Sequence, residues 1–169
     1  MTFLFVALRR TALVFAFAGA LVALLTGGLT VASIVGRSGW RSPIPGDVEL
    51  TQFGIALAIS LSLPWCQLRG ANIIVDFFTQ KLPPRRLQRL DGVGALLLAA
   101  MCALLAWRSA VGAFAVREAF ETSMILSLPM WWVYASLAPG LALAALVGLV
   151  QALAHFSGRP LDTGAQELA

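Results

Sequence analysis

The 169-residue chain is 59% hydrophobic and only 12% charged, with a mean hydropathy of +0.85. A soluble domain carries about twice that charged fraction, so the composition excludes an ordinary soluble globular protein. The net charge of +4 comes from basic residues at the ends of apolar stretches, which is a poor pattern for nucleic-acid binding.

Four long apolar stretches predict four membrane-spanning helices. The first has 26 uncharged residues, from Thr11 to Gly36, and roughly 20 are enough to cross the hydrocarbon of a bilayer. Because lipid offers backbone groups no hydrogen-bond partner, continuous apolar runs predict helices rather than a barrel. We expect an all-α integral membrane protein with a single membrane domain over residues 1–169 and spans at about 11–36, 48–68, 88–116 and 130–156.

The connection between the second and third spans predicts an amphipathic helix at about 69–82. Its polar side chains fall within an arc of roughly 100°, and these are Arg69, Asn72, Asp76, Thr79 and Gln80. Extension of the second span is the alternative, but Pro64 and Gly70 argue against a straight continuation. We expect this helix to lie along the membrane interface, followed by a basic run that contacts anionic lipids. The polar tail 158–169 predicts disorder.

The distribution of basic residues predicts cytoplasmic termini. With the N-terminus inside, eight basic residues lie on the cytoplasmic side: Arg9, Arg10, Arg69, Lys81, Arg85, Arg86, Arg89 and Arg159. Four remain outside: Arg37, Arg41, Arg108 and Arg117. Since basic residues are enriched in cytoplasmic loops, we expect a multi-pass protein of a bacterial inner membrane with both termini inside.

A reactive constellation is not apparent in the sequence. His155 is the only histidine, so a haem with two axial histidines is excluded, and the two cysteines are expected to be small buried hydrophobes. We therefore expect no enzyme activity, no cofactor and no metal site. The span centres carry no charge, and Glu49 and Arg108 lie near span ends. Contact with a partner protein and simple snorkelling to the interface both remain open for these two residues.

Small residues recur every four positions in three of the spans. The stripes are Gly19, Ala23 and Gly27, then Gly54, Ala58 and Ser62, and finally Gly140, Ala144, Gly148 and Ala152. Such stripes let helices approach closely, either within this chain or against a larger subunit. The connection 116–129 mixes charges with an apolar patch and is a candidate for a short interfacial or re-entrant segment.

Several short motifs occur in a fixed order along the chain. They are GDVEL at 46–50, LRGANIIVD at 68–76, LPPR at 82–85, LPMWWVY at 128–134 and Pro-Gly at 139–140. Together they resemble the DctQ-like small membrane subunit of a tripartite ATP-independent periplasmic (TRAP) transporter, over about residues 46–153. Relatives often have histidine where Asn72 stands and glycine near Ser127, and Asn72 still supplies hydrogen bonds to the polar arc.

The resemblance implies a function shared with other chains. A periplasmic binding protein captures an organic acid, a large (M-type) membrane subunit carries the substrate and sodium sites, and the small subunit scaffolds that elevator-type subunit. Substrate contacts are expected on the partners. Candidate interface or structural residues here are Glu49, Arg69, Asn72, Asp76, Arg108, Pro129, Trp131 and Tyr134. Two alternatives stay open, namely the small subunit of a tricarboxylate-type tripartite transporter and the membrane anchor of a redox enzyme.

Overall fold

The computed structural model describes residues 2–39, 44–69 and 84–157. It contains four helices: α1 (Thr2–Gly39), α2 (Asp47–Leu68), α3 (Pro84–Glu118) and α4 (Trp131–Phe156). Each helix is long and apolar enough to cross a membrane. The shortest, α2, has 22 residues and is about 33 Å long at 1.5 Å per residue. The predicted all-α membrane fold with four spanning helices is confirmed.

The four helices pack side by side in an order that differs from their order in the chain. α2 packs along α1 on one side and along α4 on the other, and α3 packs along α4. Within the described residues α3 contacts neither α1 nor α2. The spatial order is therefore α1, α2, α4, α3, and the two outer helices expose most of their apolar side chains. An apolar surface of this extent fits lipid or another membrane subunit.

Small residues set the close approaches between these helices. A Cβ on Gly19 of α1 would lie 2.6 Å from Ser62 Oγ of α2, and a Cβ on Gly148 of α4 would lie 3.1 Å from Ala99 Cβ of α3. Gly54 faces Thr26 with no room for a side chain. Most members of the three stripes therefore pack within the chain, although Gly27 has nothing within 4 Å of its Cβ position.

The contact between α2 and α4 places a backbone carbonyl of one helix against a glycine of the other. Pro64 lies inside α2, and a proline removes the backbone hydrogen bond to the carbonyl four residues earlier, which belongs to Ser60. That carbonyl lies against Gly140 of α4, where it occupies the space of a Cβ. The Ser60 hydroxyl also donates a hydrogen bond to the carbonyl oxygen of Leu137 at 2.8 Å. A proline, a serine and a glycine thus join the two helices at one level.

Two predicted segments fall outside the described part of the chain. The interfacial helix predicted at 69–82 lies there except for Arg69, which forms the turn that ends α2. The tail 158–169 also lies outside it. Both stay predictions.

Candidate functional site

Polar side chains at the start of α2 bind the end of α1. The Asp47 carboxylate accepts a hydrogen bond from the Ser33 hydroxyl and forms an ion pair with Arg37 at 2.9 Å. One turn further on, the hydroxyls of Thr30 and Thr51 are 3.3 Å apart. These contacts hold the two antiparallel helices together at one end of the bundle.

Glu49 connects α2 to the loop between α3 and α4, residues 119–130. Its carboxylate accepts hydrogen bonds from the backbone N–H groups of Ile125 at 2.9 Å and Leu126 at 3.2 Å. Within the loop, the Ser123 N–H donates to the Leu128 carbonyl at 2.9 Å. The loop is therefore folded over the first turn of α2, and Glu49 supplies a contact across 76 residues of sequence.

Gly46 leaves the space that the Leu126 side chain of this loop occupies. It has a φ of 73° and precedes the first turn of α2, and a Cβ there would overlap the side chain of Leu126. The loop turns back at Ser127, whose φ of 52° is in the left-handed region that glycine adopts most easily. This backbone conformation gives a physical reason for glycine near this position in the family that the sequence resembles.

Gln67 and Gln151 form a buried amide pair between α2 and α4. The Gln67 side-chain amide donates to Gln151 Oε1 at 2.9 Å, and Gln151 Nε2 donates back to the Gln67 carbonyl at 2.8 Å. Both residues are buried. An amide inside an apolar span needs such partners, because lipid offers none. Two glutamines inside apolar runs are the signal of this pair in the sequence, but nothing in the sequence joins one to the other.

The Gln151→Leu variant is expected to destabilise the chain. Loss of both interhelical hydrogen bonds should lower the free energy of unfolding in detergent by about 1–2 kcal/mol. Gln52→Leu is the matched control, since Gln52 is on the exposed side of α2, and its stability should equal or exceed that of the wild type. Unchanged stability in Gln151→Leu would show that the pair contributes nothing to helix association.

Aromatic side chains gather at the end of the bundle where α4 begins. Trp131 and Trp132 meet edge to face with ring centroids 5.9 Å apart, and the Arg117 guanidinium lies 5.3 Å from the Trp131 ring. Tyr134 packs against the position of Gly112 on α3. Since indoles prefer the headgroup level of a membrane, this end lies at one interface.

The structure brings only some of the predicted site residues together. Glu49, Pro129, Trp131 and Tyr134 lie at the end described above, where Pro129 pairs with Thr122 in an isolated β-bridge. Arg69 lies at the opposite end, with its guanidinium 5.0 Å from the Trp65 ring. Arg108 is exposed on α3, one turn before Gly112, which faces Tyr134. Asn72 and Asp76 lie outside the described residues.

An apolar groove of about 570 Å³ lies between α3 and α4. Alanines such as Ala100, Ala103 and Ala142 form its floor, with Trp107 and Leu146 beside them. No charged side chain lines this groove, and the hydrogen-bonding group in its lining is the indole N–H of Trp107. It suits a second apolar surface rather than a polar substrate.

The polar groups serve to hold the helices and the loop together. In the described ranges, every buried side-chain nitrogen and oxygen has a hydrogen-bond partner. The same residues contain no group of three or more His, Cys, Asp or Glu side chains placed to hold a metal ion. The hydrogen bonds therefore hold the helices in one bundle, whose outer faces are apolar.

Comparison with known proteins adds one finding. No curated protein and no solved structure matches the chain. A family model described as "Tripartite ATP-independent periplasmic transporters, DctQ component" matches residues 26–158, which include α2, α3 and α4 and about the last third of α1. The match covers most of the 169 residues and includes the motifs from 46 to 140. The chain therefore belongs to the DctQ family, the small membrane component of TRAP transporters.

Proposed function

We propose that this chain is the fixed scaffold of its transporter and holds the large membrane subunit in place during sodium-coupled uptake of an organic acid. The chain contributes helices and a lipid-anchored perimeter, whereas substrate and sodium bind to other components. An elevator-type subunit needs a stationary neighbour against which it slides, and this bundle has the apolar surfaces to serve as one.

The internal use of the polar side chains supports this proposal most strongly. Asp47, Glu49, Ser60 and Gln67 of α2 each bind another part of the same chain. Such bonds fix the relative positions of α1, α2 and α4 and of the loop 119–130. The large exposed surfaces of α1 and α3 are apolar, as expected for helices that face lipid and another subunit.

The family match supports a tripartite system with a large membrane subunit and a periplasmic binding protein. It supports neither the tricarboxylate-type alternative nor a redox anchor. The bacterial inner membrane, cytoplasmic termini and contact of the basic run after residue 84 with anionic lipids belong to the proposal, because basic residues are enriched on the cytoplasmic side.

Co-expression with the large subunit tests the scaffold role. We expect the two chains to be recovered together in a mild detergent as a stable complex of fixed stoichiometry. A tagged, unrelated four-helix membrane protein of similar size serves as the control for non-specific association. Recovery of the large subunit in equal amounts with the control and with this chain would contradict the proposal.

The proposed orientation predicts a labelling pattern in intact cells. In a background without Cys66 and Cys102, Met124→Cys should react with a membrane-impermeant maleimide from outside, because Met124 is 99% exposed on the loop 119–130. Phe3→Cys and Ala165→Cys should react only after permeabilisation. Labelling of either terminal position in intact cells would contradict the cytoplasmic termini.

A further inference from the structure

Arg108 differs from the other basic residues of the described helices in its depth within the bundle. Gly148 faces Ala99 and Gly112 faces Tyr134, so α3 and α4 run antiparallel and Arg108 lies at about the level of Pro139 along the bundle. That level is eight residues, or about 12 Å, along α4 from Trp131 at the membrane interface. An extended arginine side chain spans six bonds and reaches about 7 Å, which is short of that distance.

The charge of Arg108 has no partner within the described part of the chain. Its guanidinium makes no hydrogen bond or ion pair there, whereas Arg37 pairs with Asp47 and Arg117 lies over Trp131. A charge at this depth of a span is costly in lipid and is normally paired or functional.

The surroundings of Arg108 favour a second helix over a lipid headgroup. Ala100, Leu104 and Arg108 are four residues apart and form one ridge of α3, and Ala100 also lines the apolar groove between α3 and α4. Leu104 is 56% exposed. A ridge that begins beside small residues lets another helix approach closely, and a carboxylate on that helix at the depth of Arg108 completes the pair.

We propose that the ridge of Ala100, Leu104 and Arg108 is the docking surface for a transmembrane helix of the large subunit, and that this helix carries an acidic side chain that binds Arg108. This inference rests on the proposed scaffold function. It specifies which face of the small subunit contacts the large subunit and which kind of side chain the large subunit contributes to the contact. Charge complementarity inside the membrane fixes the register of the two helices.

Charge variants test the pairing. Arg108→Leu and Arg108→Glu are expected to reduce recovery of the complex with the large subunit at least about tenfold, and Arg108→Lys should retain most of it, because truncating one side of a buried pair leaves the other charge uncompensated. The isolated Arg108→Leu chain should remain monodisperse, with thermal stability equal to or above that of the wild type. Wild-type recovery of the complex with Arg108→Leu would overturn the proposal.

Photocrosslinking identifies the neighbour directly. A benzophenone side chain at Leu104, in the co-expressed complex, should crosslink to the large subunit. The matched control position is Phe17, which is 70% exposed on α1. Because α1 and α3 are the two outer helices of the bundle, a benzophenone at position 17 should crosslink mainly to lipid. Crosslinks from position 104 only to lipid or to a second copy, in a complex that still co-purifies, would overturn this inference but leave the scaffold proposal intact. Failure of the wild-type chains to co-purify would overturn both.

Discussion

Replacement of Gly140 by leucine is expected to separate α2 from α4 and to lower the free energy of unfolding in detergent by more than about 3 kcal/mol. The reason is steric. A Cβ at this position would overlap the Ser60 carbonyl and lie 2.7 Å from its carbon, so the added side chain meets backbone that has no room to move. The same displacement would break the hydrogen bond from the Ser60 hydroxyl to Leu137. Overpacking alone costs about 1–3 kcal/mol, and the lost contacts add to it.

Gly94→Leu is the matched control, since Gly94 of α3 has nothing within 4 Å of its Cβ position. Leucine has a better helix propensity than glycine by up to about 1 kcal/mol, so this variant should be as stable as the wild type or slightly more stable. Thermal unfolding in detergent measures both variants. Equal stability of Gly140→Leu and Gly94→Leu would show that the contact at Gly140 does not hold α2 against α4.

Replacement of Glu49 by leucine is expected to release the loop 119–130 from α2. The carboxylate is the acceptor for the Ile125 and Leu126 amides, and leucine accepts no hydrogen bond. Hydrogen exchange at these two amides should become at least about tenfold faster, while exchange in the middle of α4 should be unchanged.

Glu118→Leu provides the comparison for the change of charge, because Glu118 is exposed at the end of α3. Its loop amides should exchange as in the wild type. Unchanged protection of Ile125 and Leu126 in Glu49→Leu would contradict the role of Glu49 as the anchor of the loop. The role of Glu49 inside the chain is independent of any contact that it makes with a partner.

The sequence predicts the helices because their signal is local. A run such as 11–36 without charge has one stable form in lipid, which is a helix. The family was also predicted, from the motifs between 46 and 140, and the family match over residues 26–158 confirms it. The helices and the family can both be predicted without knowing which helices contact each other.

The contacts between helices were not predictable in the same way. Nothing local in the sequence places α4 between α2 and α3, or brings Glu49 to Ile125 across 76 residues. The stripe from Gly140 to Ala152 left internal packing and subunit contact equally open, and only the structure shows that Gly140 and Gly148 face α2 and α3. Tertiary packing decides which helices contact each other, and a stripe of small residues does not indicate which helix packs against it.

Reconstitution into liposomes tests the scaffold proposal most directly. The large subunit and the binding protein are incorporated with and without this chain, and uptake of an organic acid is measured under an inward sodium gradient. We expect uptake with all three components, and the background of protein-free liposomes when this chain is omitted, while the binding protein still binds its ligand. Full sodium-driven uptake without this chain, or movement of substrate by this chain alone, would contradict the proposal.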